Sequence, residues 1–290
     1  METVELDSPP SLASLYVRAL TVSLAPGGGD ALPDRELVLR GVEPDRERVA
    51  AYCRVCGFGI RETIPATYPH VLAFPLHLRL MTERSFQFAA LGLVHIANRI
   101  DVLAPIRVDA RLTFSLRADD LRPHPRGTQF EMVVEATLED GPAWRSRSTY
   151  LRRGDDGEEG SDAAEPAAGS EGASMTTSAI WRVPGDMGRR YAGVSGDRNP
   201  IHMHPLTARA FGFPTAIAHG MWSKARCLAA FEGRLPDAYS VAVEFRSPLR
   251  IPGKARFLSG PRGEGFAFRL ETPDGEHVHL NGSVSASSSP

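Results

Sequence analysis

"RYAGVSGD", residues 190–197, has an echo in the first half of the chain, "AYCRVCGF" at 51–58. Laid over one another, Tyr52 matches Tyr191, Val55 matches Val194, Cys56 matches Ser195 and Gly57 matches Gly196. Working outward, "TYPHVLAFPLHLRLM" (67–81) parallels "FGFPTAIAHGMWSKA" (211–225), which sets His77 opposite His219 and Leu78 opposite Gly220. "LVHIANRIDVLAPI" (93–106) then parallels "YSVAVEFRSPLRIP" (239–252). The spacings differ by a few residues, as in a diverged duplication. Each half reads as a helix, a loop and a longer helix, the latter at 216–233 in the second copy, where Ile217, Met221, Ala225 and Leu228 recur at near-helical spacing. Strand-like runs follow, "YSVAVEFRSPL", "KARFLSG", "GFAFRLET" and "HVHLNGSVSA", separated by Pro/Gly/Asp turns. The first copy offers "LVHIANRIDV", "RVDARLTFSLRA", "TQFEMVVEATLE" and "AWRSRSTYL". Strands joined by tight turns predict an antiparallel sheet, and a long helix in the same half must bury its apolar stripe against it. The expected fold is therefore an α+β unit present twice.

Between the halves, residues 154–177 hold seven Asp or Glu, no Lys or Arg, and almost nothing to bury. This segment is expected to be a disordered acidic linker between a unit at 1–153 and a second at 178–290. Net charge is −2, and without the linker the rest is mildly basic, which suits an anionic ligand. No concentrated Lys/Arg face argues for nucleic acid. The N-terminus opens with acidic residues, and its short apolar stretch contains Arg18, so neither a signal peptide nor a membrane span is expected. Three cysteines, Cys53, Cys56 and Cys227, fit a reducing compartment better than a disulfide framework, and the expected location is the cytoplasm.

Several small motifs take structural readings. "CRVC" lacks the second cysteine pair of a zinc site. "GVSG" is followed by Asp197, so it is not a nucleophile elbow, and "PGGGD" (26–30) lacks the Lys-Ser/Thr of a phosphate loop. His70, His77, His95, His124, His277 and His279 are scattered and read as ordinary core, rim or surface residues. A metal triad of Asp197, His202 and His204 would need an outlying ligand that no second cluster supplies, so no metal is expected.

The loop "DRNPIH" carries more. Asp197 and His202 stand five residues apart, with Asn199 between them and Pro200 fixing the turn, so both side chains can converge on one point. A carboxylate beside a group that titrates near neutrality suits a reaction moving two protons around one water. Downstream, His219-Gly220-Met221 falls near the start of the long helix, where backbone N–H groups lack partners and the dipole is positive. Without a Cβ, Gly220 could let a ligand oxygen reach its N–H, or could only let helix and sheet pack closely; both readings stay open.

"YAGVSGDRNPIHMHPLTA" (191–208), followed by "FGFPTAIAHGM" (211–221), resembles the hydratase-2 signature of MaoC-like proteins: an aromatic, Ser-Gly-Asp-x-Asn-Pro-aliphatic-His and a downstream Ala. The resemblance covers the second half strongly and the first half weakly. The whole chain looks most similar to actinobacterial 3-hydroxyacyl-thioester dehydratases. It implies a double hot-dog, each unit a long central helix wrapped by an antiparallel sheet. It also implies reversible hydration of a trans-2-enoyl thioester to the (3R)-hydroxyacyl thioester, as in fatty-acid metabolism, with no metal or redox cofactor. Asp197 and His202 would be the catalytic pair, with Asn199 orienting the loop, Ser195 and His219 supporting it and the Gly220 N–H binding the thioester oxygen. The expected partner is an acyl-CoA or acyl-carrier-protein thioester, and a further homodimer is conceivable for such a pseudo-dimer. The first copy departs from the pattern. It has Phe58 where Asp is expected and no Asn-Pro-x-His in "GIRETIP", so it should be catalytically dead, with Phe58 favouring an apolar acyl tail. The competing functions are a hot-dog thioesterase and a non-catalytic acyl-thioester-binding subunit.

Overall fold

The protein is seen in a computed structural model that describes residues 1–24, 31–154 and 174–286. Two elements come first, β1 (Glu2–Leu6) and α1 (Leu12–Leu24). One unit follows, with β2 (Arg35–Val42), α2 (Arg46–Cys56), α3 (Tyr68–Met81), β3 (Val94–Val102), β4 (Leu112–His124), β5 (Gly127–Leu138) and β6 (Gly141–Arg153). The second unit repeats the plan with β7 (Thr176–Val183), α4 (Met187–Ser195), the short α5 (Pro200–Met203) and α6 (Pro205–Arg209), and α7 (Gly220–Ala229). It closes with β8 (Tyr239–Phe245), β9 (Gly253–Arg262), β10 (Gly265–Glu271) and β11 (Val278–Ala286). All eight strand-like runs of the sequence are strands. β2 and β7, which open each unit ahead of its helices, are strands that the sequence reading does not include. Most of the expected linker, residues 155–173, lies outside the described residues, and its end, Thr176 and Thr177, is already strand β7.

The strands form one eleven-stranded sheet, ordered β1-β2-β4-β5-β6-β3-β8-β11-β10-β9-β7. Leaving β1 aside, this order is a mirror: β2, β4, β5, β6 and β3 on one side answer β7, β9, β10, β11 and β8 on the other. The halves join where β3 and β8 pair antiparallel, Ile100 opposite Val241 and Asn98 opposite Val243. This is a double hot-dog. Strand residues alternate as a half-buried sheet requires: Leu112, Phe114 and Leu116 of β4 and Phe130, Met132 and Val134 of β5 turn inward onto the helices. At the seam Lys224 of α7 is fully buried, its Nζ donating to the Asn98 carbonyl (3.2 Å), Asn98 Oδ1 (2.5 Å) and the Val241 carbonyl (3.1 Å). One buried amino group thus ties the helix of the second unit to both seam strands.

Equivalent residues stop equivalent helices. Asp45 caps α2 by accepting from the Arg48 amide, and Gly57 ends it in the left-handed region at φ 87°. Gly196 ends α4 in the same way at φ 77°. The overlay of 51–58 on 190–197 is therefore also structural, and the Tyr52 and Tyr191 rings meet 6.1 Å apart where α2 crosses α4. The overlay of the longer helices needs correction. α7 starts at Gly220 with His219 as its N-cap, whereas α3 starts at Tyr68 after Thr67. Tyr52 bonds Thr67 (2.8 Å) as the Tyr191 ring contacts His219 (4.8 Å), so Thr67, not His77, answers His219, and Tyr68, not Leu78, answers Gly220. The sequence register slipped because the second unit inserts α5 and α6 before its long helix. That helix also begins later than 216: Ala216 and Ala218 are tied in extended form to Ile251 (3.0 Å) and Leu249 (2.8 Å).

Candidate active site

Asp197 follows the left-handed turn at Gly196. Its backbone amide donates to Ser195 Oγ (3.2 Å), and its Oδ1 accepts from the Asn199 amide (3.1 Å). The Asn199 side chain caps α5 through the Ile201 amide, and Pro200 supplies the first residue of that turn. This one-turn helix brings His202 back towards Asp197. The His202 Nδ1–H donates to the Ile217 carbonyl (2.8 Å), a bond that fixes the ring as the tautomer with a free Nε2 lone pair. His219 lies against it with ring centroids 3.7 Å apart, and donates through Nε2 to the Asp197 main-chain carbonyl (3.0 Å). His219 Nε2 is also 3.8 Å from Asp197 Oδ2. All six residues singled out in the sequence thus meet in one place: Asp197 and His202 face each other, Ser195 and Asn199 hold the loop, and His219 and Gly220 open α7 beside it.

Burial opposes ionisation of Asp197, but the facing His219 and His202 rings, the Asn199 amide and the Tyr16 hydroxyl outweigh it and hold the carboxyl below its usual range. Burial is also the main influence on the imidazoles. It lowers His202 and takes His219 down to about 3. At neutral pH the group is one carboxylate, 28% exposed, beside two neutral imidazoles. Each of the three offers a ligand atom within 4.8 Å of the others, so His219 is the outlying ligand that the sequence could not supply to a metal triad. His204 takes no part; its Nδ1 accepts from the Leu206 amide and caps α6.

One residue of the site was not legible. Tyr16, on α1, donates its hydroxyl to Asp197 Oδ1 and the Gly196 carbonyl (both 3.3 Å) and accepts from the Arg198 amide (2.6 Å). Leu15 and Ala19 anchor α1 against Leu78 of α3, and a Cβ on Gly196 would fall 2.4 Å from Leu12, so α1 lies directly on the loop. Only the absence of a side chain lets it come so close.

The family described as "MaoC like domain" matches residues 167–258, which include this whole loop and α7. The protein called "3-hydroxyacyl-thioester dehydratase X" from Mycobacterium tuberculosis is 34% identical over 88% of this chain and 90% of its own. The chain belongs to the MaoC-like dehydratases. Among solved structures, HtdX from M. tuberculosis is similar with a TM-score of 0.78 and 33% identity, over 87% of this chain and 100% of that one. A protein described as a double hot-dog, also from M. tuberculosis, matches in fold alone, with TM-score 0.55 and 12% identity over 86% of this chain and 94% of that one.

In this MaoC-like dehydratase the loop opens onto a cavity of about 270 Å³ that both units line. The second unit contributes Asp197, His202, His219, Gly220 and Phe245, and the first contributes α3 and β3 through residues such as Val71, Phe74, Met81 and His95. Phe58 does not line the cavity. It packs beside Tyr52, with ring centroids 6.5 Å apart, so the expected apolar tail contact at Phe58 is corrected. A Cβ on Gly220 would fall 3.0–3.1 Å from the Phe245 ring, which would have to shift by a few tenths of an ångström, so close packing favours glycine there whatever its N–H binds. Cys53, Cys56 and Cys227 are buried and free, and burial pushes the Cys53 thiol up to about 11, which leaves them inert in line with the structural reading.

Proposed function

We propose that the chain is a hydro-lyase that interconverts a trans-2-enoyl thioester and the (3R)-hydroxyacyl thioester, using Asp197 and His202 as its acid/base pair. The observation that carries this is the Asp197 carboxyl facing the His202 imidazole, whose Nδ1 is held by the Ile217 carbonyl, in one cavity beside the start of α7, where helix amides lack intrahelical partners. The activity in the name of the M. tuberculosis relative agrees with it. Asp197 and His202 hold one water between them. As its oxygen adds to C3, the pair takes one proton, the electrons of the double bond move toward the thioester carbonyl, and the pair returns a proton to C2. The product gains H and OH from one water. The Gly220 N–H, at the positive end of α7, faces the oxygen on which charge develops. Tyr16, Asn199 and Ser195 keep the carboxylate in place and ionised.

Coenzyme A or an acyl carrier protein would carry the acyl group. Among the described residues no helix is long and apolar enough to cross a membrane. The three free, buried thiols support a reducing cytoplasmic setting. The deciding experiment follows the enoyl absorbance of trans-2-enoyl-CoA substrates of several lengths, and of the carrier-protein thioesters, with free thiol measured in parallel. Loss of absorbance without thiol release is expected. Thiol release would make the protein a thioesterase, and neither signal on any carrier would make it a binding subunit.

A further inference from the structure

Three histidines that looked unrelated in the sequence come together on the wall of the cavity contributed by the catalytically silent unit. His70 and His77 lie on α3 with rings 5.0 Å apart, and His95 of β3 stacks parallel to His70 at 6.2 Å. His95 continues onto Tyr150 (4.7 Å) and Phe245 (5.1 Å). Since the Phe245 ring also abuts Gly220, the line of contact runs from the start of α7 to the three imidazoles. All of these residues line the same cavity as Asp197.

Four ring nitrogens here are buried with no hydrogen-bond partner among the described residues: His70 Nδ1, both nitrogens of His77, and His95 Nε2. His70 is 6% and His77 1% exposed. Buried polar atoms are nearly always bonded, and leaving one unpaired is costly. A wall meant only for a hydrocarbon chain would use apolar side chains, as it does at Phe74, Leu78 and Met81. We propose that His70, His77 and His95 form a polar subsite for an oxygen atom on the acyl chain, so that the substrate is an oxygenated acyl thioester rather than a plain alkyl one.

The group it fits is neutral. Burial keeps the imidazoles uncharged, with His70 down to about 4 and His95 to about 3, so each ring has one N–H and one lone pair. A hydroxyl or carbonyl beyond C3 matches that set, whereas a carboxylate would find no charge on the three rings to balance it. The identity of the thioester rests on the proposed dehydratase reading; the subsite itself does not.

The test therefore has a binding arm and a turnover arm. Saturated acyl-CoAs of equal length, with a hydroxyl or keto group moved along the chain, are compared with the plain alkyl compound by calorimetry. Wild-type protein is expected to bind one oxygenated member at least about tenfold more tightly than its alkyl isostere, because a site built to bond an oxygen rejects an analogue lacking it. His77→Phe should bring that ratio to about one, and His77→Asn, which restores hydrogen bonding, should recover part of it; circular dichroism checks that both variants fold. Equal binding at every position of the oxygen, or variants that weaken both ligands alike, overturns the proposal and leaves the imidazoles to water. The same pairs as trans-2-enoyl-CoAs report turnover. A preference in binding with no turnover on any substrate would sink the dehydratase reading and keep the subsite, and turnover without preference would do the reverse.

Discussion

The two units share a backbone but not the side chains of the candidate site. Each ends its first helix on a left-handed glycine, Gly57 or Gly196, and the next residue is Phe58 in one and Asp197 in the other. Each sets a tyrosine against the N-cap of its long helix, but the caps are Thr67 and His219. One unit thus carries the pair proposed to move protons, while the other fills the equivalent corner with packed side chains and turns its histidines onto the shared cavity. The comparison teaches that the fold repeats where the side chains of the site do not. What holds the repeat is strand pairing and helix termination, and neither needs Asp197 or His202.

The strongest way to break this division is at its matched positions. Asp197→Asn should lower kcat/KM by about 10³-fold, and His202→Gln by a similar factor, each within the roughly 10²–10⁴ that acid/base groups contribute. Phe58→Leu should change it less than about twofold. A comparable loss in both units would dissolve the distinction. Gly220→Ala should reduce kcat by roughly tenfold or more, because the methyl must displace the Phe245 ring and, with it, the oxygen that faces the helix. At the matched position Tyr68→Phe should leave kcat unmoved.

Tyr16→Phe sharpens the comparison with a smaller effect. The hydroxyl helps to keep Asp197 ionised, so its loss raises the carboxyl pKa and moves the acid limb of the kcat/KM profile to higher pH, with several-fold lower activity at low pH. An unshifted limb would show that α1 only packs against the loop. The smallest effect concerns stability. His70, His95 and His219 are lowered to about 4, 3 and 3 in the folded chain, against an ordinary 6.5. Below pH 6.5 the unfolded chain binds the protons that the folded one refuses, so stability should fall as pH drops from about 6.5 towards 4. Thermal midpoints across that range should show a shallower slope in His95→Phe than in the wild type.

What the sequence disclosed follows from how each feature is encoded. Strands β3 to β6 and β8 to β11 announce themselves through local alternation and turn residues, and the Asp197–His202 pair through its place in one continuous loop. The repeat was legible where α2 and α4 end, but its register failed at α3 because α5 and α6 lengthen only one copy. Tyr16 lies 181 residues from Asp197, on a helix that reaches the site only through contacts made in the folded state, and no local pattern could place it. His70, His77 and His95 look scattered in the sequence, ordinary core, rim or surface residues, because α3 and β3 bring them together only in the folded state.

The seam between β3 and β8 also bears on how the chain comes to exist in a cell. During synthesis the first unit emerges complete except for one neighbour: residues 94–102 have β6 on one side, and the other side waits for residues 239–245. Until then β3 is a bare edge whose inward-facing Ile100 and Val102 are apolar, the kind of edge that recruits stray strands. The ribosome must release more than half of the second unit before that edge is capped and Lys224 can close over Asn98 and Val241. A message truncated after the first unit would yield a half-sheet with an unsatisfied flank, prone to pair with its own copies. Joining both halves in one polypeptide makes the rightful partner arrive at high local concentration and in the correct order.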